Sequence, residues 1–372
     1  MSRIEGFSAV VPAGGAGTRL WPLSRAGEPK FLHDLTGTGR TLLQSTWDRM
    51  VPLCGPEHLL LVTGASHAAA VSAQLPALAP RNLLLEPSPR ESMAAIGLAA
   101  AVLAEREGPD VVLGSFAADH VIAPQHAGVF AETLRQAVAT AREGFVVTIG
   151  IEPTSASTGF GYVRSGEPLA VPGAPLAHRA AEFVEKPDLA TARAYLAGRR
   201  HRWNAGMFVV RTGVLLDHLA TRMPPLHDGL REIAAAWDGP SRQQVLERVW
   251  PGLTRIAIDH AIAEPVAAAG GVAVVAGAFS WDDIGDWDSL ASLLPDSQDA
   301  VAVLGDPALV HSSLGSTGVV HPGAGRVVSV VGLPDAVVVD TPDALLVTTR
   351  AHAQAVKGEV AAWKDAGRAD LV

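Results

Sequence analysis

Short apolar runs alternate with amphipathic stretches through the first 150 residues. Phe7–Ala13, His58–Gly64, Asn82–Pro87, Val111–Ala117 and Phe145–Ile151 are rich in Val, Leu and Ile and bounded by turn residues, the pattern of buried strands. Between them Thr41–Met50, Ser66–Leu75, Glu91–Arg106 and Pro124–Arg142 repeat their apolar positions with helical spacing, the last opening on a proline suited to a first turn. This alternation predicts a mostly parallel sheet covered on both faces, an α/β doubly wound fold.

Beyond Thr154 the regularity loosens, and Pro168–Pro175 reads as a surface hairpin or flap. Strands resume at Ala180–Val184, Met207–Arg211 and Val272–Phe279. After Leu294 the texture changes. Ala300–Leu304, Ala308–His311, Gly318–Val320, Arg326–Val331, Ala336–Val339 and Ala344–Val347 are short apolar strands cut by Gly, Pro and Asp, and Ala351–Lys364 reads as a closing helix. We expect a large domain over residues 1–294 and a small β-rich domain over 295–372. The apolar edges of those short strands should pack on the large domain or on a second copy, which makes a homodimer an expectation.

Apolar residues form 48% of the chain and charged residues 18%, which supplies a core and excludes a disordered protein. The one cysteine, Cys54, excludes a disulfide framework or a cysteine-rich metal centre within the chain. A formal charge of −9 argues against wrapping nucleic acid. The longest apolar stretches, Met93–Ala104 and Pro265–Phe279, fall short of the roughly 18 to 20 residues that span a bilayer. The start shows no signal-peptide pattern, so the expected location is the cytoplasm, with no membrane partner. Only four residues are lysine, Lys30, Lys186, Lys357 and Lys364, against 25 arginines. A lysine kept inside a motif therefore points to a need for a compact charge.

The most informative segment runs from Val10 to Lys30, VVPAGGAGTRLWPLSRAGEPK. A buried strand enters Gly14-Gly15-Ala16-Gly17, then Thr18-Arg19. Glycines let the backbone approach a ligand and aim N–H groups at phosphate oxygens, and Arg19 adds charge. The dinucleotide fingerprint fails because Leu20 replaces its third glycine, and the P-loop fails for lack of Gly-Lys-Ser/Thr.

This segment resembles the signature of sugar-1-phosphate nucleotidyltransferases, G-G-x-G-x-R-L-x-P-L followed by Pro-Lys, and its Trp21-Pro22-Leu23-Ser24 variant is most similar to the mannose-1-phosphate guanylyltransferase branch. Further likenesses follow in order. They are Ala118-Asp119-His120, Gly159-Phe160-Gly161-Tyr162, Glu185-Lys186-Pro187, Trp203-Asn204-Ala205-Gly206-Met207-Phe208, Ile258-Asp259-His260-Ala261 and Trp281-Asp282-Asp283-Ile284-Gly285. The chain departs from the family at Arg90-Glu91-Ser92-Met93-Ala94, where the pattern is R-N-T-A-P. Ala118, Ala205 and Pro265 are further departures.

The resemblance implies a nucleotide-diphospho-sugar transferase fold followed by a domain like the family's left-handed β-helix. The implied reaction is GTP plus α-D-mannose 1-phosphate to GDP-mannose and pyrophosphate, with Mg2+. Arg19, Lys30 and Lys186 take catalytic roles on the phosphates. Asp119 and Asp283 hold the metal, each following a buried strand at the carboxyl edge where such sheets bind ligands. Asp282 competes with Asp283, and the family pattern selects the second. Ala13, Gly14, Gly15, Gly17, Thr18, Glu86, Arg90 and Ser92 bind the nucleotide. Gly161, Glu185, Lys186 and Asn204 bind the sugar phosphate, with Glu182, Asp259 and Glu264 as lesser candidates. The histidines show no paired metal spacing, and Trp281 and Trp287 read as packing. Only 78 residues follow Leu294, so an added isomerase domain is not expected.

Two other readings fit the same residues. One is the same chemistry with another sugar 1-phosphate or NTP, the other a non-catalytic homologue that senses nucleotide sugars. A sensor has no need for the full set of Arg19, Lys30, Asp119, Lys186 and Asp283.

Overall fold

A computed structural model describes residues 2–15, 17–294 and 297–372. Ala16 of the glycine turn and Pro295, where the expected domain boundary falls, lie outside the described residues.

Nine strands form one sheet: β1 (Phe7–Ala13), β2 (Leu59–Gly64), β3 (Leu83–Glu86), β4 (Val112–Ser115), β5 (Val146–Ile151), β6 (Tyr162–Pro168), β7 (Ala177–Val184), β8 (His201–Arg211) and β9 (Val272–Gly277). Their order is β3-β2-β1-β4-β8-β5-β9-β7-β6, and β6 also pairs with β8. The helices are α1 (Leu42–Cys54), α2 (Ala68–Gln74), α3 (Glu91–Glu107), α4 (Ala127–Arg142), α5 (Leu189–Gly198), α6 (Thr212–Arg222), α7 (Pro224–Ala236), α8 (Arg242–Val249), α9 (Glu264–Ala268), α10 (Trp287–Leu293) and α11 (Val356–Asp365).

Strand alternation splits the core. Phe7, Ala9, Val11 and Ala13 of β1 face the layer of α1, α2 and α4, while Val10 faces α3, α6 and α7. Helix α3 is buried at every position from Met93 to Leu103, because the sheet lies on one side and α6 and α7 on the other. That explains its apolar, weakly amphipathic sequence.

The sheet is doubly wound but mixed. β1, β2, β3 and β4 pair in parallel, as do β5 and β9, whereas β8 runs antiparallel between β4 and β5. β8 also begins at His201 rather than Met207, so the Trp203–Gly206 motif lies within a central strand. The loose region after Thr154 contains the hairpin of β6 and β7, whose strand pairing extends well beyond the expected flap.

The last part stacks short strands into parallel rungs. β10 (Val301–Val303), β12 (Gly318–Pro322) and β14 (Ala336–Asp340) make one ladder, closed antiparallel by β15 (Leu345–Thr349). β11 (Val310–Ser313) pairs in parallel with β13 (Val328–Val331). At Gly318, φ +116, a Cβ would lie 2.0 Å from the Ala336 carbonyl oxygen, so only glycine fits between those rungs.

Ala302, Val319, Val337, Val339, Leu346 and Val356 share one core with Leu20, Trp21, Leu42, Ile284, Trp287 and Leu290. The rungs therefore pack on the large unit, against the segment that follows the glycine turn. No helix among the described residues is long and apolar enough to cross a membrane.

Candidate active site

The site lies at the carboxyl ends of β1, β4 and β9. Gly15 and Gly17 follow β1 with φ of 85° and 60°, a left-handed backbone that glycine adopts without steric cost. A Cβ at Gly17 would stand 3.0 Å from Cβ and Cγ of Lys30 and from Oγ of Ser24, so the turn also leaves room for that lysine. Gly14 and Gly15 are exposed, and Thr18–Leu20 forms a short 3-10 turn that leaves Arg19 exposed.

Lys30 is the centre of the cluster. Its Nζ lies 2.8 Å from Asp119 Oδ2 and 3.2 Å from Asp283 Oδ1, and donates to the carbonyls of Asp283 at 2.8 Å and Ile284 at 3.1 Å. Burial opposes the charge on this ammonium, yet the two carboxylates hold its pKa above the ordinary lysine value. Burial likewise opposes ionisation of Asp119, and Lys30 overcomes it, holding the carboxyl below its usual value.

Asp119, His120 and Asp283 bring one ligand atom each within 4.8 Å of the others. Two carboxylates are the hard oxygen donors that Mg2+ prefers, with phosphate oxygens and water able to complete an octahedron. His120 is the addition that sequence reasoning passed over. Its Nδ1 is buried without a hydrogen-bond partner, and its ring stands edge-on to Trp281 at 5.3 Å. The available signal was its place beside Asp119, since pairwise histidine spacing could not find it.

Asp282 turns elsewhere. Its Oδ1 accepts the Ile284 N–H at 2.7 Å, while Asp283 faces Lys30.

A second wall carries Gly161, Glu185, Lys186 and Asn204. A Cβ on Gly161 would lie 2.4 Å from Glu185 Oε2 and 3.3 Å from Asn204 Cβ, so glycine permits that close approach. Asn204 accepts from Thr148 Oγ1 at 2.6 Å and from the Gly206 N–H at 3.1 Å, and donates to Asp259 Oδ1 at 2.8 Å. Burial and the neighbouring Glu185 push the Asp259 carboxyl up to about 6. Glu264 accepts the Glu185 N–H at 3.1 Å and pairs with His260 at 2.9 Å, bracing the wall from behind.

Lys186, at φ 46°, reaches Glu185 Oε1 at 2.9 Å. Burial works against its charge, but Glu185, Asp259 and Asp283 raise its pKa. Glu182 lies outside it, engaged by Arg164, Tyr195 and His201.

At the far end, Glu86 closes β3. Its Oε1 is buried without a partner, and burial pushes the carboxyl up to about 7. Ala13 ends β1, its carbonyl accepting from Thr63 Oγ1 at 2.7 Å. Arg90 donates to the Pro251 carbonyl at 2.6 Å and Ser92 Oγ accepts the Ile258 N–H at 3.0 Å, which ties loop 86–92 to segment 251–258. Glu91 has φ 63° where the family pattern carries asparagine, a residue that adopts this backbone more readily.

The family model described as nucleotidyl transferase matches residues 8–299, and that of the MannoseP isomerase/GMP-like beta-helix domain matches 311–361. Mannose-1-phosphate guanylyltransferase of Escherichia coli K12 is 37% identical over 370 residues, covering 96% of this chain and 74% of its own. Xanthan biosynthesis protein XanB of Xanthomonas campestris pv. campestris B100 is 36% identical over 367 residues, with 97% and 74% covered. The chain belongs to the nucleotidyl transferase family, among its mannose-1-phosphate guanylyltransferases. A crystal structure described as mannose-1-phosphate geranyltransferase from Thermus thermophilus superposes with a TM-score of 0.83 at 32% identity, covering 96% of this chain and 99% of that one.

In this mannose-1-phosphate guanylyltransferase homologue the chemistry available is charge cancellation and positioning. The segment after the glycine turn presents Arg19 and Lys30, and the second wall presents Lys186 beside Glu185 and Asn204.

Proposed function

We propose that the protein joins GTP and α-D-mannose 1-phosphate into GDP-mannose and pyrophosphate. The observation that carries this is Lys30 held between Asp119 and Asp283 beside the glycine turn. A mannose 1-phosphate oxygen attacks the α-phosphorus directly; that P–O bond forms as the bond to the β-phosphate breaks, and pyrophosphate leaves. Asp119 and Asp283, with His120 beside them, would hold Mg2+, which when bound neutralises charge on the phosphates. Lys30 fixes both carboxylates and Arg19 faces the leaving pyrophosphate. Lys186 guides the attacking phosphate, and Glu185 and Asn204 orient the sugar.

Guanine is the base that suits Glu86. A buried carboxylate accepts from adjacent N–H groups, and the guanine N1–H and exocyclic amine present two such donors side by side. Gly14, Gly15, Thr18, Arg90 and Ser92 frame the nucleotide around it.

We place the reaction in the cytoplasm. We propose a homodimer that uses the outer faces of the rungs, where Leu314, Val327, Leu345 and Val347 are exposed. The domain division at 294/295 is likewise our proposal.

Incubation with Mg2+, mannose 1-phosphate and GTP carrying a chiral α-phosphorus tests this reading. GDP-mannose with inverted configuration at phosphorus is expected. Retention would show a covalent enzyme intermediate, and lack of product would overturn the assignment.

A further inference from the structure

Arg19 donates to a residue that none of the motifs contains. Its Nη1 lies 3.4 Å from Oε1 of Gln354, in the turn Arg350–Ala355 that follows the last rung strand. The amide nitrogen of Gln354 donates to Oδ2 of Asp286. The other oxygen of Asp286 caps α10, accepting the N–H groups of Asp288 and Ser289 at 2.9 Å each. Asp286 lies three residues after Asp283, and Lys30 donates to the carbonyls of Asp283 and Ile284 at the start of that turn. One side-chain amide from the small unit thus joins the phosphate-facing arginine to the turn carrying a metal-site carboxylate.

The segment leading into the amide is anchored. Ala353 is buried in the shared core, and Arg350 reaches Asp288 at 2.7 Å and Ser292 at 2.8 Å. The glycine turn is held by the same unit further along. Trp21 Nε1 donates to the Leu371 carbonyl at 2.6 Å, and Arg25 forks onto Asp343 at 2.7 and 2.6 Å. Arg19 itself is exposed and pairs with no carboxylate among the described residues, so Gln354 is the side chain that holds it.

We propose that Gln354 is a positioning residue for nucleotidyl transfer, aiming Arg19 at the phosphates and keying its orientation to the Asp283–Asp286 turn. The inference rests on the reaction assigned above. A glutamine suits this place because one end of its amide accepts from the guanidinium while the other donates to the carboxylate. Arginine gains from such an arrangement because a fixed guanidinium meets phosphate without first being ordered.

The test is a set of variants read by steady-state kinetics and by calorimetric binding of inorganic pyrophosphate with Mg2+. Gln354→Ala should weaken pyrophosphate binding and lower kcat/KM for GTP on the order of tenfold. In an Arg19→Met background the same substitution should add nothing further. Gln354→Glu should be as damaging, because its carboxylate faces Asp286, and the double variant Gln354→Glu with Asp286→Asn should recover most of the loss. Full additivity with Arg19→Met, or no recovery in the double variant, would overturn the proposal. So would unchanged pyrophosphate affinity in Gln354→Ala. If the wild-type chain makes no GDP-mannose, the substrate assignment fails, while pyrophosphate binding still decides the role of Gln354.

Discussion

Val121 and Asp282 exchange two backbone hydrogen bonds, Val121 N–H to the Asp282 carbonyl at 2.9 Å and Asp282 N–H to the Val121 carbonyl at 3.0 Å. This isolated antiparallel bridge ties the segment after β4 to the segment after β9. It brings Asp119 and Asp283 together although nearly half the chain separates them. It also fixes the local backbone, so that Asp282 returns to Ile284 while Asp283 meets Lys30.

The first prediction separates these neighbours. Asp283→Asn should lower kcat on the order of a hundredfold or more, as loss of a preorganised electrostatic group does. Asp282→Asn should cost far less, since its Oδ1 accepts the Ile284 N–H and an asparagine keeps that acceptor. Steady-state rates in Mg2+ check this, and the reverse order would move the metal assignment by one residue.

Lys30 should resist even a conservative change. Two carboxylate oxygens and two carbonyls surround its Nζ, and a planar guanidinium cannot meet that geometry in the space beside Gly17. Lys30→Arg should lose most activity, whereas Lys364→Arg in α11 should be silent. Equal rates for the two variants would contradict the role given to Lys30.

Gly161→Ala should act on the sugar and spare the nucleotide. The new methyl would press on Glu185 Oε2, and displacement of a positioning group by about an ångström can cost up to a hundredfold. KM for mannose 1-phosphate should rise at least tenfold with little change in KM for GTP. A matched rise in both would show that Glu185 does not face the sugar.

Glu86 makes stability depend on pH. Its folded pKa of about 7 exceeds the ordinary 4.5, so the native state keeps a proton that the unfolded chain has released. Its contribution to stability therefore falls as pH rises from 4.5 to 7, and stays low above that. Glu86→Gln should melt a few degrees higher than wild type at pH 8 and equally at pH 4.5, while KM for GTP rises. Thermal melts across this range check the sign.

Much of the large unit was legible because its strands are buried on both faces and bounded by turns. The Lys30–Asp119–Asp283 cluster could be foreseen in part, since both aspartates follow such strands. The reversal of β8 was not legible. Its first residues are polar and aromatic, with Trp203 packed on Phe160 and Asn204 bonded to Thr148 and Asp259, so the apolar signal starts only at Met207. His120 was hidden by lacking a histidine partner at metal spacing. Gln354 was hidden more deeply, because its role exists only once the rungs pack against the glycine turn.

The most direct test is kcat/KM for pyrophosphate release over a panel of GTP, ATP, UTP, CTP and dTTP, each with mannose, glucose and fucose 1-phosphates. The pair GTP and mannose 1-phosphate should lead the panel and yield GDP-mannose. Preference for UTP or dTTP would contradict the guanine reading of Glu86, and absence of turnover with every pair would contradict nucleotidyl transfer at this site.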